Sequence, residues 1–215
     1  MASKTEAPRL PWTWVWILYP LLFVIGRTLL VFLGPLRTLG RRNLPSRGGY
    51  LIVCNHVSDI DPILVFGATV HRQVRFIAKE ELFDMPSIAW MMRMAGTFPI
   101  RRGSADREAI RLAVAHLQAG HVVCIFPEGQ LSESGTQGPF LPGFTLIAKM
   151  AEVPIVPCGI RNSNRIMPYG SLKPRPALSF VDVSFGPPRK FEKGTASEEI
   201  VFWAEEEVRQ LSAER

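Results

Sequence analysis

The sequence predicts an α/β domain with a mixed, largely parallel sheet flanked by helices, together with an N-terminal helical segment that associates with a membrane. Three observations lead to this prediction: short apolar runs, amphipathic helical patterns that alternate with them, and an apolar stretch near the amino terminus. The runs 121–126 and 153–157 are almost continuously apolar, as is typical of strands covered on both faces. A length of 215 residues suits one domain with an appendage.

Composition narrows the class of protein. A hydrophobic content of 47% and a charged content of 20% exclude a disordered chain. Cys54, Cys124 and Cys158 each lie in an apolar run, which indicates reduced, buried residues and not a disulfide or zinc set. A net charge of +6 favours an anionic partner, either membrane phosphates or nucleic acid.

Residues 1–40 are predicted to form a membrane anchor, as a helical hairpin or a shallow helix. The uncharged stretch Pro11–Gly26 has 16 residues, fewer than the roughly 20 that cross a bilayer. Three tryptophans crowd one end of it, as at a membrane interface. A single tilted span and a buried soluble helix are the alternatives. Basic residues that follow favour the cytoplasmic face and anionic headgroups: Arg37, Arg41, Arg42 and Arg47.

Residues 41–215 are predicted to form the α/β domain. The clearest helix begins after Ser104 as N-cap and ends at Gly120. The last helix, about 196–213, is amphipathic and is expected to pack on the sheet or to lie on the membrane. The predicted strands are 50–54, 74–78, 97–101, 121–126, 153–160 and 177–185.

A histidine and a carboxylate follow the first of these strands. His56 and Asp61 lie on the predicted strand-to-helix turn, where the carboxyl end of a strand meets the amino end of a helix. A neutral imidazole there can take a proton from a hydroxyl, and an aspartate can fix its tautomer. The alternative is helix-start chemistry, with Asp61 as N-cap before Pro62, or with Ser58 and Asp61 as a capping box.

Other charged residues occur where further strands end. Arg101 and Arg102 precede a helix and could hold an anion, although a solvated basic turn has the same composition. Glu128 is followed by Gly129, which would let the backbone approach a ligand, although an ordinary turn is an equal alternative. Lys79 closes the second strand within a stretch that also fits a surface run of charge.

Four short blocks, taken together, resemble those of the glycerolipid acyltransferase family, which makes phosphatidic acid from lysophosphatidic acid. The first contains the H-x4-D pattern, and the others read F-P-I-R-R-G, F-P-E-G and V-P-I-V-P. They occupy residues 55–62, 98–103, 126–129 and 153–157. The resemblance covers roughly residues 45 to 165, and a short amino-terminal membrane helix pair also occurs in such enzymes.

The resemblance implies acyl transfer from acyl-CoA or an acyl carrier protein to the free hydroxyl of 1-acyl-glycerol-3-phosphate. It implies His56 as general base and Asp61 as the residue that holds the imidazole. Arg102 takes the place of the family's substrate-binding arginine, and Lys79 resembles its lysine before the E-L dipeptide. Arg101 completes the basic pair, and Glu128 and Gly129 would shape the site for the acceptor.

One position departs from the family pattern. The third block usually continues E-G-T-R-S, whereas this chain has Gln130 and Leu131 after Gly129. A cation for the acceptor phosphate is therefore missing. Another lysophospholipid, for example lysophosphatidylethanolamine, or a non-phosphate alcohol becomes a plausible acceptor.

Two other functions would account for some of these features. A lipid hydrolase would need a serine elbow or a metal set, and the sequence shows neither G-x-S-x-G nor histidines at ligand spacing. A non-catalytic, basic, membrane-binding protein would explain the charge but not the four blocks. No usual nucleic-acid motif occurs. We therefore expect a membrane-associated enzyme with its active site on the cytoplasmic side, with lipid and acyl thioester as partners and no metal or cofactor.

Overall fold

Seven strands form one sheet in the described part of the chain. The computed structural model describes residues 34–69, 72–79, 97–100, 107–171, 173–177 and 179–213, together with residues 21, 24, 28 and 84. The sheet order is β1-β7-β6-β2-β5-β3-β4, and every neighbouring pair is parallel except β6 and β7. The strands are β1 (Leu36–Leu39), β2 (Tyr50–Cys54), β3 (Val74–Lys79), β4 (Phe98–Ile100), β5 (Val122–Ile125), β6 (Ile155–Arg161) and β7 (Val181–Phe185). The predicted fold class is confirmed.

Helices cover both faces of this sheet. On one face α1 buries Leu64 and Val65 against Ile52 of β2. On the other face, Leu51 packs in a second cluster with residues of α2, α3 and α5, such as Phe144. Because successive side chains of a strand point to opposite faces, both halves of β2 are buried, which explains its unbroken apolar sequence. The helices are α1 (Asp61–Ala68), α2 (Arg107–Gln118), α3 (Gly143–Ala151), α4 (Ser163–Ile166) and α5 (Ser197–Ser212), with a 3-10 turn at Arg41–Asn43.

Two helix predictions are confirmed. Gly120, the second residue beyond α2, has φ 85° in the left-handed region, and the His121 N–H donates to the His116 carbonyl at 2.9 Å, which closes the helix with a Schellman motif. The last helix, α5, packs on the sheet, with Ala204 and Val208 fully buried. The predicted start at Ser104 lies outside the described residues.

The sheet begins earlier than the predicted boundary at residue 40. Strand β1 pairs in register with β7, so Leu36–Leu39 belong to the sheet and not to the anchor. This strand is short and contains Arg37 and Thr38, and therefore lacks the apolar run that marks the central strands.

The carboxyl ends of β2, β3, β5 and β6 lie along one edge of the sheet, which we call the carboxyl edge. Since β7 is antiparallel to β6, and β1 is parallel to β7, both of these strands begin at that edge. The chain that precedes Gly34 therefore enters the domain at the carboxyl edge.

Most of the predicted anchor lies outside the described residues. Leu21, Val24 and Thr28 are described as helical, and the Leu21 and Val24 side chains are exposed. Within the described part of the chain, no helix has the length and apolarity that a membrane crossing requires.

Candidate active site

The turn after β2 is fastened to β6 by Asn55. Its amide nitrogen donates to the Ile160 carbonyl at 2.9 Å, and its amide oxygen accepts from the Ile160 N–H at 2.7 Å. The side chain is buried and continues the β2–β6 ladder one residue beyond the last backbone pair. This contact fixes the direction in which the chain leaves β2 at the carboxyl edge.

The turn brings His56 and Asp61 together. Nδ1 of His56 lies 3.1 Å from Oδ2 of Asp61, and the imidazole is 16% exposed while the carboxylate is fully buried. With Nδ1–H donating to the carboxylate, Nε2 keeps its lone pair and can accept a proton. This pair has the geometry of a general base and the group that orients it.

Asp61 is the first residue of α1 and does not act as its cap. The N-cap residue is Ile60, and no side chain caps the helix. Instead, Oδ2 of Asp61 accepts the backbone N–H groups of Val57 and Ser58, both at 2.8 Å. Ser58 Oγ donates to the Met167 carbonyl at 2.7 Å, and the Asp61 N–H donates to the Ser58 carbonyl and not to its hydroxyl. Of the two hydrogen bonds of a capping box, the structure therefore contains only the one from the Ser58 N–H to the Asp61 carboxylate.

The imidazole of His56 is also held by an aromatic side chain. It stacks on Phe126 with ring centroids 4.3 Å apart and an interplanar angle of 23°. Phe76 lies behind Phe126, with the two ring centroids 6.4 Å apart and nearly parallel planes. The stack restricts rotation of the imidazole, which remains partly exposed.

Glu128 supports the same turn from β5. One carboxylate oxygen accepts the His56 N–H at 2.8 Å, and the other accepts the Gly138 N–H at 2.9 Å. Burial raises the pKa of Glu128, and these two backbone donors only partly offset that rise. The carboxylate thus fixes the backbone at His56 relative to the loop that contains Gly138.

The segment after Glu128 runs alongside the turn. Gly129 has φ 71°, a conformation that favours glycine, and its N–H donates to the Phe126 carbonyl at 3.1 Å. Further on, the Ser132 N–H donates to the His56 carbonyl at 2.9 Å. Leu131, the residue that departs from the family pattern, is therefore adjacent to a direct contact of His56.

The predicted cationic residues are only partly described. Lys79 ends β3 and pairs with Ile100, the last described residue of β4 and the residue before Arg101. Both strands end at the carboxyl edge; β3 is two strands from β2, about 10 Å at the usual strand spacing, and β4 is three strands from it. The Lys79 side chain, Arg101 and Arg102 lie outside the described parts, and their roles stay predictions.

Sequence reasoning assigned no role to three residues that shape the site: Asn55, Phe126 and Gly138. Asn55 and Phe126 directly follow β2 and β5 at the carboxyl edge, and this position in the sequence could have indicated a role in the site. The sequence contains no such indication for Gly138, because its contact with Glu128 depends on how the loop before α3 folds back.

Comparisons with known proteins agree with this geometry. The profile of the acyltransferase family matches residues 36–161. The fold also resembles the crystal structure of the 1-acyl-sn-glycerophosphate (LPA) acyltransferase PlsC from Thermotoga maritima, with a TM-score of 0.78 and 24% sequence identity. That alignment covers 94% of this chain and 82% of the PlsC chain.

Two relatives illustrate the similarity in sequence. The chloroplastic 1-acyl-sn-glycerol-3-phosphate acyltransferase BAT2 of Brassica napus is 35% identical over 137 residues, which are 61% of this chain but 39% of that protein. The 1-acyl-sn-glycerol-3-phosphate acyltransferase of Bacillus subtilis is 27% identical over 150 residues, covering 68% of this chain and 74% of that protein. The family profile spans more than half of the sequence and includes the His56 turn, so the chain belongs to the acyltransferase family.

Proposed function

We propose that this protein transfers an acyl group from a thioester to the free hydroxyl of 1-acyl-glycerol-3-phosphate and so produces phosphatidic acid. The observation that carries the proposal is the contact between Nδ1 of His56 and Oδ2 of Asp61 at the carboxyl edge. Relatives named as 1-acyl-sn-glycerol-3-phosphate acyltransferases support this acceptor. Acyl-CoA and acyl carrier protein are both suitable donors, and no cofactor is part of the proposed reaction.

In the proposed mechanism, Nε2 of His56 removes the proton of the acceptor hydroxyl as its oxygen attacks the thioester carbonyl. The C–S bond breaks, the acyl group stays on the acceptor oxygen, and the thiolate leaves and takes up a proton. Asp61 stabilises the imidazolium that forms in the transition state. Because Asp61 already accepts two backbone N–H groups, it keeps its orientation while the imidazole changes charge.

Phosphate recognition is assigned to the cationic residues at the same edge. Lys79, Arg101 and Arg102 would bind the acceptor phosphate, since guanidinium groups match phosphate oxygens with paired hydrogen bonds. Gly129 would let the backbone approach the glycerol moiety. These assignments rest on the resemblance and on where β3 and β4 end.

The reaction is tested by measuring thiol release from acyl-CoA with and without lysophosphatidic acid, while phosphatidic acid is quantified by mass spectrometry. We expect release that depends on the acceptor. His56→Ala should lower kcat by about 10²–10⁴-fold, and Asp61→Asn should also be severe, with both variants folded. Thiol release at the same rate with and without the acceptor would indicate a thioesterase. Normal turnover by the folded His56→Ala variant would refute the mechanism.

A second acceptor class is favoured by one specific observation. Leu131 stands where the family has an arginine, next to Ser132 and its contact with His56. Lysophosphatidylethanolamine would place a headgroup amine where that cation is missing. Running the same assay with both lysolipids decides between the two acceptors.

A further inference from the structure

We infer that a second membrane-contacting surface lies beside the His56 turn, separate from the amino-terminal segment, and that it binds the anionic surface of a lipid bilayer. It is the basic aromatic surface, formed by five exposed residues of α4 and of the connection from α4 to β7. They are Arg165, Tyr169, Lys173, Arg175 and Phe180. This inference goes beyond the proposed reaction, because it concerns how the domain sits on a membrane and not what it catalyses.

Charge is the first argument for this surface. Residues 163–181 contain no aspartate or glutamate, so its three basic residues have no acidic neighbour in sequence. Arg165 donates to Ser179 Oγ at 3.1 Å, and Arg175 donates to the Arg165 carbonyl at 3.2 Å; both partners are neutral. Basic residues near an anionic membrane surface each add to binding until salt screens them.

Exposed aromatic side chains are the second argument. Tyr169 is 51% exposed and Phe180 is 54% exposed. Phe180 also lies beneath the Arg37 guanidinium, whose carbon is 5.3 Å from the ring centroid. Because Arg37 itself is paired with Asp182, the cations that would meet lipid phosphate are the three basic residues of the surface, while the two aromatic rings suit the headgroup layer of a bilayer.

Position is the third argument. Gly34 packs closely against this part of the fold, because a Cβ placed on it would lie 3.2–3.3 Å from side-chain atoms of Ile166, Ala177 and Val181. The predicted anchor is therefore joined to the domain beside this connection. The connection also borders the reacting pair, because Ser58 Oγ donates to the Met167 carbonyl. A bilayer in contact with this surface would therefore lie next to the His56 turn, which the lipid acceptor must reach in order to react.

The exposed acidic residues that the structure places beside this surface, Glu133 and Asp59, lie at the margin that faces the His56 turn. Asp182, two residues after Phe180, is buried and paired with Arg37 and Arg161. Glu133 accepts the Tyr169 hydroxyl at 3.0 Å, and this hydrogen bond is the main reason that the pKa of Tyr169 is raised, with a smaller contribution from Asp59. The three basic residues lie on the remainder of the surface, so its net charge is positive.

The experiment uses the full chain and vesicles that are either neutral phosphatidylcholine or contain an added anionic phospholipid. The readout is the ratio of the two partition coefficients, measured by vesicle titration at low salt and without turnover. The triple variant Arg165→Gln, Lys173→Gln and Arg175→Gln should lower this ratio roughly a hundredfold. Replacing Tyr169 and Phe180 by serine should weaken binding to both kinds of vesicle.

The structure places Arg42 and Arg47, for which the sequence favoured contact with headgroups, beyond the end of β1 and before β2, at the edge of the sheet opposite the carboxyl edge. A matched control removes the same charge from that opposite edge, through Arg42→Gln, Arg47→Gln and Lys190→Gln, three exposed residues. It should retain the ratio. The pair Arg165→Lys and Arg175→Lys alters the arginine hydrogen bonds but keeps the charge, and should also retain it.

An unchanged ratio in the folded triple variant, or an equal loss in the control, would overturn the inference. The triple variant is also tested for binding to a single-stranded oligonucleotide. If it loses that binding while its vesicle ratio is unchanged, the surface binds nucleic acid and the inference is wrong. Because binding is measured without turnover, failure of this inference is distinguishable from failure of the proposed reaction.

Discussion

At the scale of single residues, Glu128 shows how a site residue can act through the backbone of another. Its two carboxylate oxygens bind the backbone N–H groups of His56 and Gly138. Its contact with the acceptor stays a prediction. Glu128 therefore has the geometry of a positioning residue that fixes the backbone of the general base.

Glu128→Gln tests this role. One backbone donor would then face an amide NH2 group, so the turn should shift and kcat should fall about ten- to a hundredfold, with little change in KM for either substrate. Glu133→Gln, a nearby exposed acid, is the matched control and should leave kcat unchanged. An increase in the KM of the acceptor alone would show instead that Glu128 contacts the acceptor.

Position 131 gives a second prediction at this scale. Leu131→Arg should raise kcat/KM for lysophosphatidic acid relative to lysophosphatidylethanolamine, by about tenfold or more, because a charge-assisted hydrogen bond contributes about 1.5–3 kcal/mol. Leu131→Gln, which adds polarity without charge, serves as the control. Steady-state kinetics with both acceptors measure the effect, and an unchanged ratio would remove position 131 from the acceptor site.

At the scale of elements, the attachment of β1 depends on one buried carboxylate. Asp182 of β7 accepts hydrogen bonds from Arg37 of β1 at 2.8 and 2.9 Å, and also binds Arg161 of β6. Burial opposes ionisation of Asp182, but the hydrogen bonds from the two arginines outweigh it and lower its pKa below the ordinary 3.8. One ionised side chain thus joins three neighbouring strands.

Asp182→Asn should lower the free energy of unfolding by about 1.5–3 kcal/mol at pH 7, the usual effect of losing hydrogen bonds to a charged group. A lowered folded-state pKa contributes stability above the unfolded-state pKa, and this stability is lost as pH falls through the folded-state value. The difference between wild type and variant should therefore shrink below about pH 4.

Urea unfolding at several pH values measures this difference. Glu206→Gln is the control, because Glu206 forms an exposed ion pair with Arg209 within one helix and should change stability little. A difference that stays constant from pH 7 to pH 3 would show that the charge of Asp182 does not hold β1 in place.

At the scale of the whole molecule, the start of β1 and the His56 turn lie at the same edge of the sheet. A membrane anchor there would bring the turn close to the bilayer. Deleting residues 1–33, which spares β1, should abolish partition into neutral vesicles while leaving weak, salt-sensitive binding to anionic vesicles. Sedimentation with both vesicle types measures this, and undiminished binding to neutral vesicles would show that residues 1–33 are not the anchor.

The α/β class and the general positions of the central strands could be predicted from the sequence alone. Every residue of β2 is buried, and its sequence is therefore apolar on both faces. This pattern is local and can be recognised without a structure. The termination of α2 just before Gly120 could also be predicted from the sequence, because a glycine that adopts the left-handed conformation is a local signal for the end of a helix. The residues of the His56 turn were identified through a short motif for the same reason.

Tertiary structure alone decided how those residues are used. Asp61 could have been a helix cap by its sequence, and only the fold of the turn directs its carboxylate to His56. Glu128 contacts the His56 backbone from 72 residues away, and Arg37 contacts Asp182 from 145 residues away. Such contacts depend on strand order and on the antiparallel β7, which local patterns do not encode, because a strand's sequence reports its burial and not the identity of its neighbours.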